Sequence, residues 1–540
     1  MFHIYQFLHE LLLCTHQIIN FRYKMEGDWG DYEEEDYGDM MMEDYLPTLE
    51  DLEAMGIDTE QLRDLPDKAL YQLLQQYMMA GNQMGDGMYE DYGPGVDMGA
   101  EQDFSYVQHL QDCTMPVTLQ AIQLMIPLFL LCGSLRLSAL LEIPISILHM
   151  VCACSGLYLI WITFQTEAAY IICLAVLGYL LLLILMLSGV KQKGPISAIL
   201  CIATVTSWEL FLADPISWHK VRGAQMILMM KVISVGFDLD QGTLSSLPGP
   251  LEYFGYTFCV GTSIFGPWVS FTSYMAMLQP HQPNLRWFLH VITSSFLAIL
   301  CLLISVCITP ILFVGYEARW LLAYSDAASF RYSHYFVSYL STASSVLAGY
   351  GAVKDTDGNT NWEFSVAKPL HIELPRSLVE VVTNWNLPMH YWLKNYVFKT
   401  TRKLGNFVAV LMTYAISSVL HGLNFQLAAV LLSLGFYSYS EYVFRQKLAD
   451  IFNACIKARR CRGECTHHYK STQPCVMIAN LLFGLLAVFH LAYLGVMFNT
   501  DSEIQQEGYT MKHTLEKWSN LGYASHYVVL GTFIFYWLIK

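Results

Sequence analysis

Charged side chains are scarce in this sequence. Asp, Glu, Lys and Arg make up 14% of its 540 residues, whereas soluble globular proteins carry about 25%. Hydrophobic residues make up 54%, and several apolar runs reach the length of about 20 residues that a helix needs to cross a bilayer. The sequence therefore predicts an all-α, polytopic membrane protein and argues against a soluble enzyme.

Other familiar signals are also missing from the sequence. It contains no N-x-[ST] sequon, no KDEL-like C-terminus, no internal repeat and no phosphate-binding loop. Without a soluble basic face, no nucleic-acid partner is expected. The 14 cysteines are scattered rather than regularly spaced, which is unlike a disulfide framework. Many of them lie inside apolar runs, namely Cys132, Cys152, Cys173, Cys201, Cys301 and Cys307. We interpret most of the 14 as small buried hydrophobic residues.

Acidic residues are concentrated near the N-terminus. Residues 26–103 hold 23 of the 46 acidic side chains but only 2 of the 30 basic ones. Such a composition cannot bury a core, so we predict an acidic, largely disordered segment over residues 26–104. Within it, Leu49–Met79 has helical periodicity and fits either a short helical pair or part of a passive tail. Residues 1–25 are interpreted as an interfacial helix, and residues 105–540 as a multi-span membrane domain.

Apolar runs predict most of the spans in the membrane domain. These are Leu119–Leu135, Ala139–Phe164, Ala168–Leu187, Pro195–Ala213, Leu285–Phe313, Met477–Phe498 and Ala524–Ile539. Residues 217–235 mix basic and apolar side chains and are expected to form an amphipathic interfacial helix. Residues 330–400 mix aromatic residues, Ser and Gly with isolated charges and several prolines. Broken helices at membrane depth are tolerated where they line a cavity, so this region predicts re-entrant helices around a central chamber.

A charge-free stretch lies between two basic segments. From Leu404 to Ser440 there are 37 residues without Asp, Glu, Lys or Arg, and His421 lies near the midpoint. Basic flanks face the cytosol, so the stretch should cross twice and turn near residues 422–424, with His421 toward the lumenal side. An ionisable residue at this depth is costly and is usually functional. The alternative is a neutral histidine that is hydrogen-bonded between packed helices.

Small and polar residues precede His421 on the same helix face. Tyr414 and Ser417 lie seven and four residues before it, which places all three side chains on one side of a helix. This face suits a substrate pocket, but it suits close helix packing equally well.

A second segment, Asn384–Leu393, is rich in aromatic and amide side chains. An amide both donates and accepts without titrating, so it suits binding of an acyl carbonyl or a hydroxyl. An interfacial aromatic belt is the alternative. We interpret His390 in this segment, and His334 upstream of it, as structural or interfacial residues, although either fits a chamber lining.

The motifs W-N-L-P-M-x-Y-W-L and S-x-L-H-G, read at Trp385–Leu393 and Ser418–Gly422, together resemble the membrane-bound O-acyltransferase family. Three further segments add to the resemblance: Leu427–Leu434, Phe489–Gly495 and Gln506–Tyr509. It extends over about Ser105–Lys540 and leaves the acidic segment outside. It implies a helical core around a chamber, with His421 as general base and Asn386 holding the hydroxyl or the developing oxyanion. We assign substrate binding to four neighbouring residues: Trp385, Tyr414, Ser417 and Ser418.

The resemblance also implies substrates and a location. The acyl donor would be palmitoleoyl-CoA, and the acceptor a serine hydroxyl of Wnt proteins. The enzyme would lie among the lipids of the endoplasmic reticulum membrane without a permanently bound cofactor. Two alternatives stay open: a family member that acylates a lipid or another secreted peptide, and a proton-coupled transporter in which His421 relays protons. Transporters often carry a two-fold internal repeat, which this sequence lacks.

A cysteine- and histidine-rich loop follows the charge-free stretch. Cys461-x3-Cys465-x-His467-His468, with Cys475 nearby, has the residue types of a zinc site but not the usual ligand spacing. We interpret it as a basic juxtamembrane loop with free or S-acylated cysteines, and we assign no metal site.

Overall fold

The computed structural model describes residues 106–314, 316–356, 358–461, 465–498 and 510–540. The segments predicted over residues 1–25 and 26–104 lie outside the described residues, as does Gln506–Tyr509. Apart from one two-stranded sheet, the regular structure of the described residues is helical. The expectation of an all-α membrane protein is confirmed.

The first part of the described chain folds into helices that follow the apolar runs. They are α1 (Tyr106–Leu140), α2 (Ile145–Phe164), α3 (Ala168–Leu187), α4 (Lys193–Phe211), α5 (Pro215–Asp240), α6 (Pro250–Thr257), α7 (Phe271–Met277), α8 (Leu285–Leu303), α9 (Thr309–Leu312) and α10 (Arg319–Ala348). Short 3₁₀ turns at Gln165–Glu167 and Val260–Thr262 and a π-helical turn at Ile304–Ile308 connect some of them.

The second part begins with the sheet and continues through short helices. Strands β1 (Ala352–Lys354) and β2 (Thr360–Trp362) pair antiparallel. They are followed by α11 (Leu370–Glu373), α12 (Leu378–Trp385), α13 (Leu387–Trp392), a π-helical segment (Leu393–Phe398), α14 (Lys399–Thr401), a 3₁₀ turn (Arg402–Leu404), α15 (Asn406–Leu420), α16 (Phe425–Phe452), α17 (Pro474–Gly495), α18 (Met511–Asn520) and α19 (Ala524–Leu538).

Six helical stretches among the described residues are long and apolar enough to cross a bilayer. They are Leu110–Leu140, Ile145–Leu187, Lys193–Phe211, Leu285–Leu312, Phe425–Phe452 and Pro474–Gly495. The 43 residues of Ile145–Leu187 are about twice what one crossing needs. Gln165, with a φ of 49°, divides this stretch into α2 and α3. Two shorter apolar helices, α15 and α19, complete the set. Helices therefore occupy each of the predicted spans.

Residues 217–235 do not form an interfacial helix, so this prediction is wrong. They belong to α5, in which Val221, Lys231 and Val232 are fully buried. Charged side chains of α5 can be buried because they have hydrogen-bond partners inside the protein. The Lys231 ammonium, for example, donates to the carbonyls of Tyr256 and Thr257 at 3.0 and 3.1 Å, which offsets the cost of removing it from water.

The prediction of broken helices over residues 330–400 is only partly confirmed. Residues 319–348 form the continuous helix α10, because its serine and threonine hydroxyls satisfy backbone carbonyls in the same helix or in a neighbour. Thr342, for example, donates to Ser338 at 2.8 Å, and Ser345 to Gly261 at 3.2 Å. The chain breaks repeatedly only after Gly349, through the hairpin and α11–α14.

One disulfide joins two distant helical segments. Cys113 in α1 is bonded to Cys307 in the π-helical turn after α8, across a sequence separation of 194 residues. Cys113 and Cys307 are therefore exceptions to the interpretation of most cysteines as small buried hydrophobic residues. The scattered spacing hid this pair because its two cysteines approach each other only when α1 packs beside α8.

The charge-free stretch forms the predicted hairpin. Helix α15 ends at Leu420 and α16 begins at Phe425. The turn therefore includes residues 422–424, as expected. Asn424 caps α16 by accepting a hydrogen bond from the Leu427 backbone N–H at 3.2 Å. The hairpin places His421 at the junction between two apolar helices.

Candidate active site

His421 directly follows α15 and is the C-cap residue of that helix. Its backbone N–H donates to the carbonyls of Ser417 and Ser418 at 3.3 and 3.1 Å, which fixes the position of its Cα. The side chain is half-buried, and its ring nitrogens make no hydrogen bond to another described residue. An imidazole that is anchored through its backbone, with its ring free, can accept a proton from a bound hydroxyl.

The turn after His421 is clamped by an ion pair from two other helices. The Arg222 guanidinium in α5 lies 2.8 Å from a Glu209 carboxylate oxygen in α4. The Leu423 backbone N–H donates to the same carboxylate at 3.2 Å. Gly422 has a φ of +92°, and a Cβ at this position would lie 1.6 Å from an Arg222 nitrogen. Only glycine therefore fits this turn, and the clamp holds His421 in place.

Asn386 lies between α12 and α13 with its side chain partly exposed. Its Oδ1 accepts a hydrogen bond from the Met389 backbone N–H at 3.0 Å and so caps α13. Its backbone carbonyl accepts from the His390 N–H at 2.8 Å. The cap fixes the orientation of the amide, because only the oxygen can accept. Nδ2, which makes no hydrogen bond to another described residue, is left free to donate.

His334 in α10 packs against the segment that carries Asn386. Its Nε2 donates to the Trp385 carbonyl at 3.0 Å, and its ring stacks on the Trp385 indole with centroids 4.4 Å apart. His334 therefore contacts the residue preceding Asn386. These contacts favour a structural role, the first of the two roles that the sequence left open.

The remaining predicted binding residues divide into two groups. Trp385 stacks against His334 and Phe330, beside the site. Ser417 and Ser418 are buried just below His421, each 6% exposed. Their role in substrate binding stays a prediction.

Tyr414 faces the neighbouring helix. Its ring packs against Gly435 of α16, and its hydroxyl lies 3.5 Å from the Ser438 hydroxyl. These contacts favour the packing alternative for this residue.

Buried ion pairs anchor the segment that carries Asn386, and sequence reasoning missed them. Upstream, Arg331 in α10 forms a bidentate pair with Glu373 at 2.8 and 3.0 Å. At the start of α12, the Leu378 backbone N–H donates to Glu441 at 2.7 Å, and Glu441 also pairs with Arg445 at 3.0 Å. The Arg331–Glu373 pair spans 42 residues and the Leu378–Glu441 contact spans 63, so neither leaves a local signal. They tie α11 to α10 and the start of α12 to α16.

Among the described residues, His421 thus offers a proton acceptor without a hydrogen-bond partner, and Asn386 offers an amide N–H donor without one. Acyl transfer needs both groups: a base for the attacking hydroxyl and an N–H donor for the carbonyl oxygen.

Comparison with known proteins identifies the class. Residues 157–458 match the membrane-bound O-acyltransferase family, and the chain belongs to this family. It is a multi-pass membrane acyltransferase, and its activity requires an acyl donor.

Among its relatives, the chain is 42% identical over 461 residues to protein-serine O-palmitoleoyltransferase porcupine of Homo sapiens, an alignment that covers 82% of this chain and 99% of that protein. It is 34% identical over 511 residues to the protein of the same name from Drosophila melanogaster, covering 86% and 92%. Lysophospholipid acyltransferase 2 of Arabidopsis thaliana is 25% identical over 327 residues, covering 51% and 68%.

Proposed function

We propose that the protein transfers a palmitoleoyl group from palmitoleoyl-CoA to a serine hydroxyl of a Wnt protein in the endoplasmic reticulum membrane. The observation that carries the proposal is the identity of 42% to a protein-serine O-palmitoleoyltransferase that aligns over 99% of its own length. The lysophospholipid acyltransferase aligns over only half of this chain, at 25% identity. Protein acylation is therefore favoured over lipid acylation.

His421 acts as the general base. It removes the proton from the serine hydroxyl while the serine oxygen attacks the thioester carbonyl carbon. The carbon–sulfur bond then breaks, and the coenzyme A thiolate leaves with a proton that the imidazolium returns. General base catalysis contributes about 10²- to 10⁴-fold. The free ring nitrogens of His421 and its anchored backbone support this role.

Asn386 stabilises the developing oxyanion. Its Oδ1 is committed to the Met389 N–H, so Nδ2 is the group that faces a substrate. An N–H donor matches a thioester carbonyl oxygen, on which negative charge develops during the attack. The cap therefore favours the oxyanion role over the alternative, in which the amide would accept a hydrogen bond from the serine hydroxyl.

The acyl donor enters from the cytosol and the Wnt protein from the lumen. Helices α4 and α5 pair at both ends, through Lys193–Asp240 at one and Glu209–Arg222 at the other. Lysine-rich loops face the cytosol, which assigns the Lys193 end to that side. The Glu209–Arg222 end, which clamps the turn after His421, then faces the lumen. Substrates from the two compartments would meet at this histidine.

The test uses the full chain purified in detergent, labelled palmitoleoyl-CoA and a Wnt-derived disulfide hairpin peptide. We expect label on the serine of the peptide and none on a serine-to-alanine peptide. His421→Ala should abolish the transfer, whereas His468→Ala, which changes an exposed histidine, should keep it. Label on added lysophospholipid but not on the peptide would overturn the proposal. Proton-driven transport without acyl transfer, measured in liposomes, would favour the transporter instead.

A further inference from the structure

Four side chains with metal-binding groups converge in the loop between α16 and α17. Cys455, Cys461, Cys465 and His467 each direct one ligand atom inward, and these atoms all lie within 4.8 Å of one another. Cys455 is buried, and the other three are partly buried. Sequence spacing had suggested His468 and Cys475 as members, but His468 packs against Tyr469 and Cys475 is exposed.

The distances between the ligand atoms are close to those of a tetrahedral zinc site. The Cys461 sulfur lies 3.4 Å from that of Cys455 and 3.6 Å from that of Cys465. His467 Nδ1 lies 3.1 Å from the Cys465 sulfur and 3.6 Å from the Cys461 sulfur. Zinc bonds of about 2.3 Å to sulfur and about 2.0 Å to nitrogen place tetrahedral ligands roughly 3.5–3.8 Å apart. Two of the four separations lie in this range and the other two are shorter, so the four ligand atoms are close enough together to share one ion.

A disulfide does not account for this cluster. The sulfur–sulfur separations of 3.4 and 3.6 Å far exceed the bonded distance of about 2.05 Å. Three thiols within 4.8 Å of one another also leave one without a partner if any two of them pair. The loop lies in the segment with seven basic residues between Arg445 and Lys470, which faces the cytosol, where thiols stay reduced.

The charge of the loop favours the metal-bound form. A zinc ion with three thiolates and one neutral imidazole carries one net negative charge. The loop supplies compensating positive charge from Lys457, Arg459, Arg460 and Lys470. The Lys470 ammonium also donates to the Cys465 backbone carbonyl.

The loop supports the start of α12, which leads to Asn386. Arg376 donates to the carbonyls of Cys455 and Lys457 at 2.7 and 3.1 Å. The Ser377 hydroxyl, adjacent in sequence, donates to the Ala458 carbonyl at 3.0 Å. A metal bound between residues 455 and 467 would fix these carbonyls, because it closes the loop that presents them.

We propose that Cys455, Cys461, Cys465 and His467 bind one structural Zn²⁺ ion that holds this loop against the start of α12. The ion has four protein ligands and no open position, so it takes no part in acyl transfer. The site is a structural support on the cytosolic side, independent of the reaction at His421.

Metal analysis of the full chain tests the proposal directly. The protein is purified in detergent under reducing conditions without chelator, from cells supplied with zinc, and its metal content is measured by mass spectrometry. We expect about one zinc ion per chain. Cys461→Ser and His467→Ala should each lose most of it. The matched variants Cys475→Ser and His468→Ala change neighbouring residues of the same types outside the cluster, and should keep it.

A second measurement on the unaltered chain covers the case in which these variants fail to fold. Replacing zinc with Co²⁺ should produce the thiolate-to-cobalt absorption of a tetrahedral sulfur-rich site, and a strong chelator should lower the apparent melting temperature until zinc is returned. Zinc at background level in the unaltered chain would overturn the proposal, as would full zinc content in Cys461→Ser. His421→Ala should keep its zinc, so failure of the acyltransferase proposal is distinguishable from failure of this one.

Discussion

His334 and Trp385 form one rigid unit: their rings stack at 12° with centroids 4.4 Å apart, and the histidine Nε2 donates to the tryptophan carbonyl at 3.0 Å. Trp385 immediately precedes Asn386, so this unit fixes the backbone from which the proposed catalytic amide projects. His334 lies on α10 and Trp385 at the end of α12. The long, continuous helix therefore positions the short, interrupted one.

Replacing His334 should lower the rate of transfer without weakening substrate binding. We expect His334→Ala to reduce kcat by roughly 10²-fold, because a displacement of about 1 Å can cost that much, while KM for the acyl donor stays nearly unchanged. His334→Gln keeps an N–H donor and should recover part of the loss. Steady-state kinetics with labelled acyl-CoA separate kcat from KM.

His290→Ala is the matched control for His334. The His290 Nδ1 also donates to a tryptophan carbonyl, that of Trp362, at 3.0 Å, but on the β-hairpin. It should retain kcat. Equal loss of activity in the two variants would mean that His334 acts only through general stability.

Two substitutions of Asn386 separate its two hydrogen bonds. Asn386→Asp keeps the oxygen that caps α13 but removes the free N–H donor, so it should lower kcat by about 10²- to 10³-fold with little change in thermal stability. Asn386→Ala removes both, and should also destabilise the protein by about 1 kcal/mol. Activity assays and melting temperatures measure the two effects separately.

Ser270→Ala controls for the lost helix cap. Ser270 caps α7 by accepting from the Ser273 backbone N–H at 3.1 Å, outside the site. It should lower the melting temperature as a lost cap does and leave kcat unchanged. Full activity in Asn386→Asp would contradict the oxyanion role.

Gly422→Ala should disturb the site through a steric clash. The new Cβ would overlap the Arg222 guanidinium, so either the turn or the Glu209–Arg222 pair must move, and kcat should fall. Gly242→Ala introduces similar backbone strain, at a φ of +72°, but with no atom within 4 Å of the new Cβ. Such strain alone costs about 1–3 kcal/mol. If both variants keep full activity, the clamp does not position His421.

The Glu209–Arg222 pair should act on activity as one unit. Glu209→Gln and Arg222→Gln each remove the ion pair that holds the residue-209 side chain beside the Leu423 N–H, so the double variant should lose little more activity than either single one. The Lys193–Asp240 pair lies between the same two helices and is equally buried, with both side chains 15% exposed. Lys193→Ala should therefore keep kcat. Strictly additive losses in the first pair would argue against a shared role.

The hairpin around His421 could be predicted because its signals are local. The charge-free stretch, the basic flanks and the small turn residues all lie within about 60 residues of one another, and helix length and charge bias suffice to interpret them. The family motif added Asn386 in the same way. The catalytic roles of His421 and Asn386, which the resemblance implies, stay predictions.

The parts that sequence reasoning missed depend on distant partners. Arg222 belongs to α5, whose basic side chains are typical of a surface helix. Its position inside the protein is explained only by its distant partners, Glu209 and the turn after His421. Cys455 stands six residues before Cys461, outside any usual zinc spacing. Residues 330–348 of α10 were expected to be broken because aromatic residues, Ser and Gly mix there with isolated charges. In the packed structure, hydroxyls of this helix bond to carbonyls of α10 itself or of a neighbour.

The clamp on the His421 turn has a practical consequence for expressing pieces of this chain. A fragment that starts after residue 240 would contain Asn386, His334 and His421, yet it would lack both Glu209 and Arg222. It would carry both motifs that resemble the family and still lack the two side chains that clamp the turn. Such a truncated protein would need a second, amino-terminal piece that contains Glu209 and Arg222 before the turn after His421 could be clamped.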